Sequence, residues 1–253
     1  MNPTPVVKNL LIANFVIFFL QELGKVPLPE LFALRYFTSP DFQPWQFLTY
    51  MFLHGSFYHL LSNMLGLFMF GPWIENTLGS RRFIPFYFIC GMGAGLFNFA
   101  VMFGEAELRA TALGELEKNP TEENFINYLN NYHYSFYVNN VDKIQDATDK
   151  MTPEQRKAEA SALKNEFRPV VGASGAIFGI LMAFMLLFPN LELMLLFLPM
   201  PIKAKYLIGV YMIYELFMGV QYSNVSNVAH FAHLGGALIA FLLIKYWKIK
   251  RIY

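Results

Sequence analysis

Charged side chains are scarce in this sequence. Asp, Glu, Lys and Arg make up 15% of the residues, against 55% hydrophobic residues, whereas a soluble domain carries about a quarter charged residues. That shortage excludes an ordinary soluble domain and points to a membrane protein. The net charge of +1 excludes the basic footprint that nucleic acid requires. The single cysteine, Cys90, excludes an internal disulfide and, midway along an apolar segment, reads as a small core residue. The zinc-protease spacing H-E-x-x-H is missing. No small-residue cleavage site follows "MNPTPVVKNLLIANFVIFFL", so this stretch reads as a retained first helix and not a removed signal. No internal repeat stands out.

What is present is a series of apolar runs. A bilayer span takes about 20 mostly apolar residues, and the segments 6–23, 57–75, 83–104, 170–188, 204–222 and 226–247 predict six helices. "LMLLFLPMPI", 193–202, is too short and too interrupted by proline for a seventh and is expected as an interfacial loop. With a cytoplasmic N-terminus, the inner ends hold Lys8, Arg81, Arg82, Lys203, Lys205, Lys245, Lys248, Lys250 and Arg251. The short outer loops then hold only Lys25 and Arg35. This asymmetry sets both termini inside.

Residues 105–168 depart from the rest and carry 12 of the 18 acidic residues. They read as a soluble, partly helical insertion between helices 3 and 4, on the outer side, splitting a membrane domain of residues 1–104 and 169–253. "TPEQRKAEASALKNEF" predicts a helix with Thr152 as N-cap, Pro153 at its first position and Gln155 completing a capping box.

Polar side chains inside spans are costly and call for a reason. His54, His59, His230 and His233 all lie at span ends. In "HGSFYHLLSNMLGLFMF", His59 and Asn63 are four residues apart and share a helix face. Ser174 lies in "GASGAIFG", in the first turn of helix 4. Helices 2, 4 and 6 run in the same direction. At about 1.5 Å per residue, His59, Asn63, Ser174 and His233 come to a common depth below the outer surface.

These residue types fit acyl transfer. A serine hydroxyl is a weak nucleophile until a base takes its proton, and His233 is the candidate base. The developing oxyanion needs preorganised donors, for which the Ser174 N–H, the Asn63 amide and a His59 ring N–H are candidates. Gly172 and Gly175 let another backbone approach closely. Gly236 and Ala240 form a small-residue seam on helix 6. Each motif alone has a plainer reading, since small residues in a membrane helix signal close packing and a membrane-end histidine is usually interfacial. His230-x-x-His233 together with His54 and His59 raises the possibility of a metal site. No carboxylate or cysteine ligand lies nearby in the sequence, and neither a metal nor an organic cofactor is expected.

On "HGSFYHLLSN", "GASGAIFG" and "AHLGGALIA", the chain resembles the rhomboid family of intramembrane serine proteases over everything except 105–168. The resemblance implies a six-helix rhomboid bundle and a Ser–His dyad at Ser174 and His233 with no third acidic member. It implies an oxyanion site at His59, Asn63 and the Ser174 N–H. His54 corresponds to a structural or solvent-access position, Phe178 to an aromatic that packs on the histidine, and Glu75 to a structural carboxylate. Helix 5 and the "QYSNVSNV" loop resemble the family's substrate gate and cap. Two departures stand out: Gln46 follows Trp45 where many relatives have Trp-Arg, and Ala240 replaces a glycine. Glu215, inside helix 5, is expected to pair with loop donors at the outer end or to serve gating.

The resulting expectation is an endopeptidase of the plasma (inner) membrane that opens to the extracytoplasmic side. It cuts single-span proteins near the outer boundary, where helix-breaking or small residues ease unwinding. The insertion is expected to contact substrate or a partner. Two alternatives are a non-catalytic rhomboid-like protein that binds membrane clients, and a transporter. The second would place polar groups at mid-bilayer between inverted halves.

Overall fold

A computed structural model describes residues 2–24, 26–133, 148, 150–163, 167–195, 198–222 and 228–252. Lys25 and most of the "QYSNVSNV" loop lie outside these residues. The chain is mostly helical. α1 (Pro5–Glu22) is followed by two short helices, α2 (Leu28–Phe32) and α3 (Gln46–Thr49), and then by the long α4 (Phe57–Leu78) and α5 (Ser80–Lys118). α6 (Glu122–Tyr132) and α7 (Pro153–Leu163) follow. The C-terminal part comprises α8 (Ser174–Leu187), a hairpin of β1 (Glu192–Leu195) and β2 (Leu198–Lys203), α9 (Ala204–Tyr222) and α10 (His230–Tyr246).

α8 is the central helix, packed among α4, α5, α9 and α10. Its residues from Gly175 to Leu181 are all buried, as are Ala183, Phe184 and Leu187. A helix apolar on all sides is stable only in such a place. Small residues bring its neighbours close. A Cβ on Gly179 would sit 2.7 Å from the Cβ of Cys90, so the buried cysteine is packing surface against α8.

The outer faces are apolar too. Phe19, Leu65, Leu96, Ile213 and Leu242 are exposed on five different helices, a distribution that water does not tolerate over so large an area. Among the described residues, α1 and α5 are each long and apolar enough to cross a bilayer, and α8 and α10 are shorter apolar helices. α8 starts later than the expected 170–188 segment because Val170 is held as extended chain. It exchanges backbone hydrogen bonds with Leu34 at 2.8 and 3.0 Å.

Two polar anchors fix the remaining pieces. Glu75 accepts hydrogen bonds from the Thr4 and Ser80 hydroxyls and from the N–H groups of Val6 and Val7. One carboxylate thereby caps the start of α1, whose first N–H groups have no partner within the helix. Gln46 is fully buried. It accepts from the Arg35 N–H at 3.2 Å and donates to the Asp41 carbonyl at 2.9 Å and the Leu31 carbonyl at 3.3 Å. The glutamine that departs from the familiar Trp-Arg pair is thus the centre of its own loop.

The structure differs further from the sequence reading at the end of α5 and at 193–202. α5 does not end near residue 104 but runs unbroken to Lys118. Beyond the apolar stretch its residues are mostly Ala, Leu, Glu and Arg, all strong helix formers. α6 and α7 fold back on this extension, and Leu113, Leu116, Phe125, Tyr128, Leu129, Ala160 and Leu163 form a second small core. The Thr152 and Gln155 capping box is present in both directions, at 2.7 and 3.3 Å. The second difference is 193–202, expected as a loop. It is the antiparallel hairpin, with Glu192 opposite Lys203 and Leu193 opposite Ile202. In a two-stranded ribbon both strands are edges, where proline is tolerated.

Candidate active site

The entry to α8 sets the geometry. Gly172 has φ +126°, and a Cβ there would lie 2.8 Å from the His59 ring. Glycine therefore serves both the backbone conformation and the close approach. The Gly172 N–H donates to the Tyr50 carbonyl at 2.9 Å, and the Tyr50 hydroxyl donates to the Gly91 carbonyl at 2.7 Å. Ser174 follows as the first residue of α8.

α10 comes in against this turn. A Cβ on Gly236 would sit 1.9 Å from the Gly175 carbonyl oxygen, so only glycine allows this crossing. The contact brings His233 to Ser174, with Nε2 2.8 Å from Oγ. The His233 ring stacks on Phe178, with centroids 4.2 Å apart and planes 7° apart. Phe178 also meets Tyr211 of α9 at 5.0 Å.

His59 and Asn63 stand on the facing α4. Ser56 caps that helix by accepting from the His59 N–H at 3.1 Å. Asn63 is buried, and its Nδ2 has no hydrogen-bond partner among the described residues. Asn63 lines the cavity of the site, so its amide is a donor available to a group bound there. His54 is fully buried, with its ring 5.0 Å from that of His59. Gln21 grips its backbone, donating to the His54 carbonyl at 2.7 Å.

A cavity of about 1410 Å³ joins these groups, lined by His59, Asn63, Ser174 and His233. Its wall also includes Asn131 and Tyr132 of α6 and the adjoining His133. Outside the apolar helices, burial and then the nearby Arg109 charge lower the His133 pKa to about 4.

One member of the site was not assigned to it in the sequence. Glu215 of α9 is buried, and its Oε2 lies 2.8 Å from His233 Nδ1 and 2.7 Å from His230 Nδ1. The expectation that Glu215 pairs with loop donors, and that no carboxylate lies near these histidines, is therefore corrected. The helix crossing brings it there across 18 positions of sequence. The available signal was its register, since Ala204, Ile208, Glu215 and Gly219 form the buried stripe of α9. Glu215, His230 and His233 are also a set whose donor types could ligate a metal ion. Their N–O separations are hydrogen-bond lengths. Zinc about 2.0–2.1 Å from each atom in a tetrahedral site would force them wider apart.

The sequence matches the Rhomboid domain family over residues 41–112 and 156–248, and the chain belongs to the rhomboid family. With its apolar helices, this makes it a membrane protein. It is 25% identical over 195 residues to RHOMBOID-like protein 12, mitochondrial, of Arabidopsis thaliana, an alignment covering 76% of this chain and 43% of that protein. It is 28% identical over 95 residues to Rhomboid protease GlpG of Klebsiella pneumoniae, covering 37% of this chain and 34% of that one. RHOMBOID-like protein 5 of Arabidopsis thaliana shares 33% over 69 residues, 27% of this chain and 22% of the relative. The chain thus spans less than half the length of each of these relatives.

Proposed function

We propose that the protein is an intramembrane serine endopeptidase working through Ser174 and His233. The observation that carries this reading is the 2.8 Å contact between Ser174 Oγ and His233 Nε2, within reach for proton transfer. His233 takes the hydroxyl proton as Oγ attacks the scissile carbonyl carbon. The tetrahedral oxyanion is held by the Ser174 N–H, the Asn63 amide and His59. His233 then returns the proton to the leaving amine, and water, activated by the same ring, hydrolyses the acyl-enzyme. Gly172, Gly175 and Gly236 keep these groups in register, Phe178 orients the imidazole and the buried His54 backs the His59 ring.

In this reading α1, α4, α5, α8, α9 and α10 are six membrane spans of one domain, 1–104 and 169–253. Both termini are cytoplasmic and the cavity opens outward in the plasma membrane. The substrate is a transmembrane helix, which must unwind to expose a carbonyl and is cut near the outer boundary. In the same reading the insertion, 105–168, faces outward, and the residues it lends to the cavity wall support a role in meeting a substrate's juxtamembrane segment. Replacing residues 119–163 by a short linker is expected to change the ranking of substrates. Unchanged cleavage of every tested substrate would remove that role.

A serine-directed fluorophosphonate on the purified protein, with the adduct located by mass spectrometry, tests the nucleophile. Labelling at Ser174 that disappears in His233→Ala is the expected result. Failure to label an intact, folded sample would favour the client-binding alternative.

A further inference from the structure

We propose that Glu215 is a positioning residue for the base, so that this chain runs a Ser174–His233–Glu215 relay and not a dyad. The inference rests on the serine-protease reading above and adds to it a third member supplied by α9. A carboxylate only accepts hydrogen bonds. With Glu215 Oε2 2.8 Å from His233 Nδ1, the proton is held on Nδ1 and the Nε2 lone pair faces the Ser174 hydroxyl. Without the carboxylate the ring is free to take the other tautomer, which cannot accept the serine proton. When that proton moves to Nε2, the imidazolium forms against a buried negative charge that stabilises it. Nδ1–H stays on the ring and Glu215 stays ionised.

His230 supports the arrangement. Its Nδ1–H donates to the same oxygen at 2.7 Å, so the buried carboxylate has two donors. The register of α9 points the same way. Glu215 is the one charged residue on a buried stripe otherwise made of Ala204, Ile208 and Gly219, with the half-buried Met212 beside it. An apolar residue would complete that stripe, and an ionisable group there is costly unless it serves a function. Gly219 lets α9 seat closely, since a Cβ there would lie 3.2 Å from the His230 Cβ. The base is therefore assembled by two helices, and displacing α9 takes the carboxylate away from it.

Among the described residues, the other titratable and charged side chains lining the cavity are Tyr50, Tyr58 and His59, Glu105 and Arg109 of α5, Tyr132, His133 and Arg168, and Tyr211 and Tyr214 of α9. Glu215→Gln and Glu215→Asp proteins, purified in detergent, are compared with wild type for kcat and KM on a single-span substrate across the acid limb of the pH profile. Glu215→Gln is expected to leave KM in place, lower kcat by about 10²–10⁴-fold and move the acid limb to lower pH. Glu215→Asp is expected to restore part of kcat and of the limb. If Glu215→Gln does not fold, the aspartate variant decides: a folded protein with partial activity on a shifted limb supports the relay. Wild-type kcat with an unmoved limb in Glu215→Gln overturns it. So does lost activity in either variant with no change of limb, the mark of a purely structural role. A Ser174→Ala protein run alongside separates the two levels. If it still cleaves, the serine reading fails; if it is inactive while Glu215→Gln is unaffected, only the relay fails.

Discussion

Gly236 of α10 lies against the carbonyl of Gly175 so closely that a single added carbon would sit 1.9 Å from that oxygen. The contact is one residue from Ser174 and three from His233, so the helix crossing and the proposed chemistry depend on the same small surface. Backbone cannot yield as the end of a flexible side chain can, and overpacking of this kind costs about 1–3 kcal/mol or more. Gly236→Ala is expected to lower the thermal midpoint in detergent. It should also reduce kcat by about 10²-fold, because a misplacement near 1 Å is enough to do so. A variant with wild-type melting and wild-type turnover would show that the crossing adjusts freely.

Asn63 carries a buried amide whose donor lacks a partner among the described residues. If it serves the oxyanion, Asn63→Ala should cost about 10²–10³ in kcat, with KM little changed. The thermal midpoint should change little, since the amide donates to no other described residue. Steady-state kinetics beside a detergent melt check both halves. A variant that loses stability but keeps kcat would make Asn63 a structural residue.

His133 offers a pH test away from the membrane helices. Burial, then Arg109, lowers its pKa to about 4 from the ordinary 6.5, so the ring is neutral when folded. As pH falls below the ordinary value, the unfolded segment around α6 binds a proton that the folded one does not. Its stability is then full above that value and is lost progressively as pH falls toward the folded pKa. Hydrogen exchange of α6, corrected for intrinsic rates, should show weaker protection at pH 5 than at pH 7, with His133→Leu removing the difference. Equal protection at both pH values in the wild type would refute the linkage.

The Glu215, His230 and His233 cluster separates a hydrogen-bonded relay from a metal centre. Prolonged dialysis against a strong chelator is expected to leave cleavage unchanged. Activity lost on dialysis and restored by zinc would assign the cluster to a metal and displace the relay.

How much of this was legible in the sequence varies with the range of the interaction. Gly172 and Ser174 belong to one short motif, and His59 and Asn63 to one helix face, so local spacing is enough to name them, whereas Phe178 comes only from the family resemblance. The helical course of α1, α4, α9 and α10 follows from runs of apolar residues in the same way. Glu215 was named but not placed, because its meaning depends on which way α9 turns. Hydropathy sees an isolated charge in a span, and only the buried register with Ile208 and Gly219 shows that it points inward. The extension of α5 escaped for a related reason. Apolarity ends near residue 104, but helix propensity does not, and the polar turns find their partners on α6 and α7. The hairpin escaped because its prolines read as interruptions, which they are not on a two-stranded edge.

Ser174 and His233 are proposed to act together on a membrane-spanning substrate. The most direct measurement mixes the purified protein in detergent with a tagged single-span substrate, beside Ser174→Ala and His233→Ala versions. One cut near the outer boundary by the wild type and none by either variant is the expected result. Cleavage that survives in Ser174→Ala would contradict it.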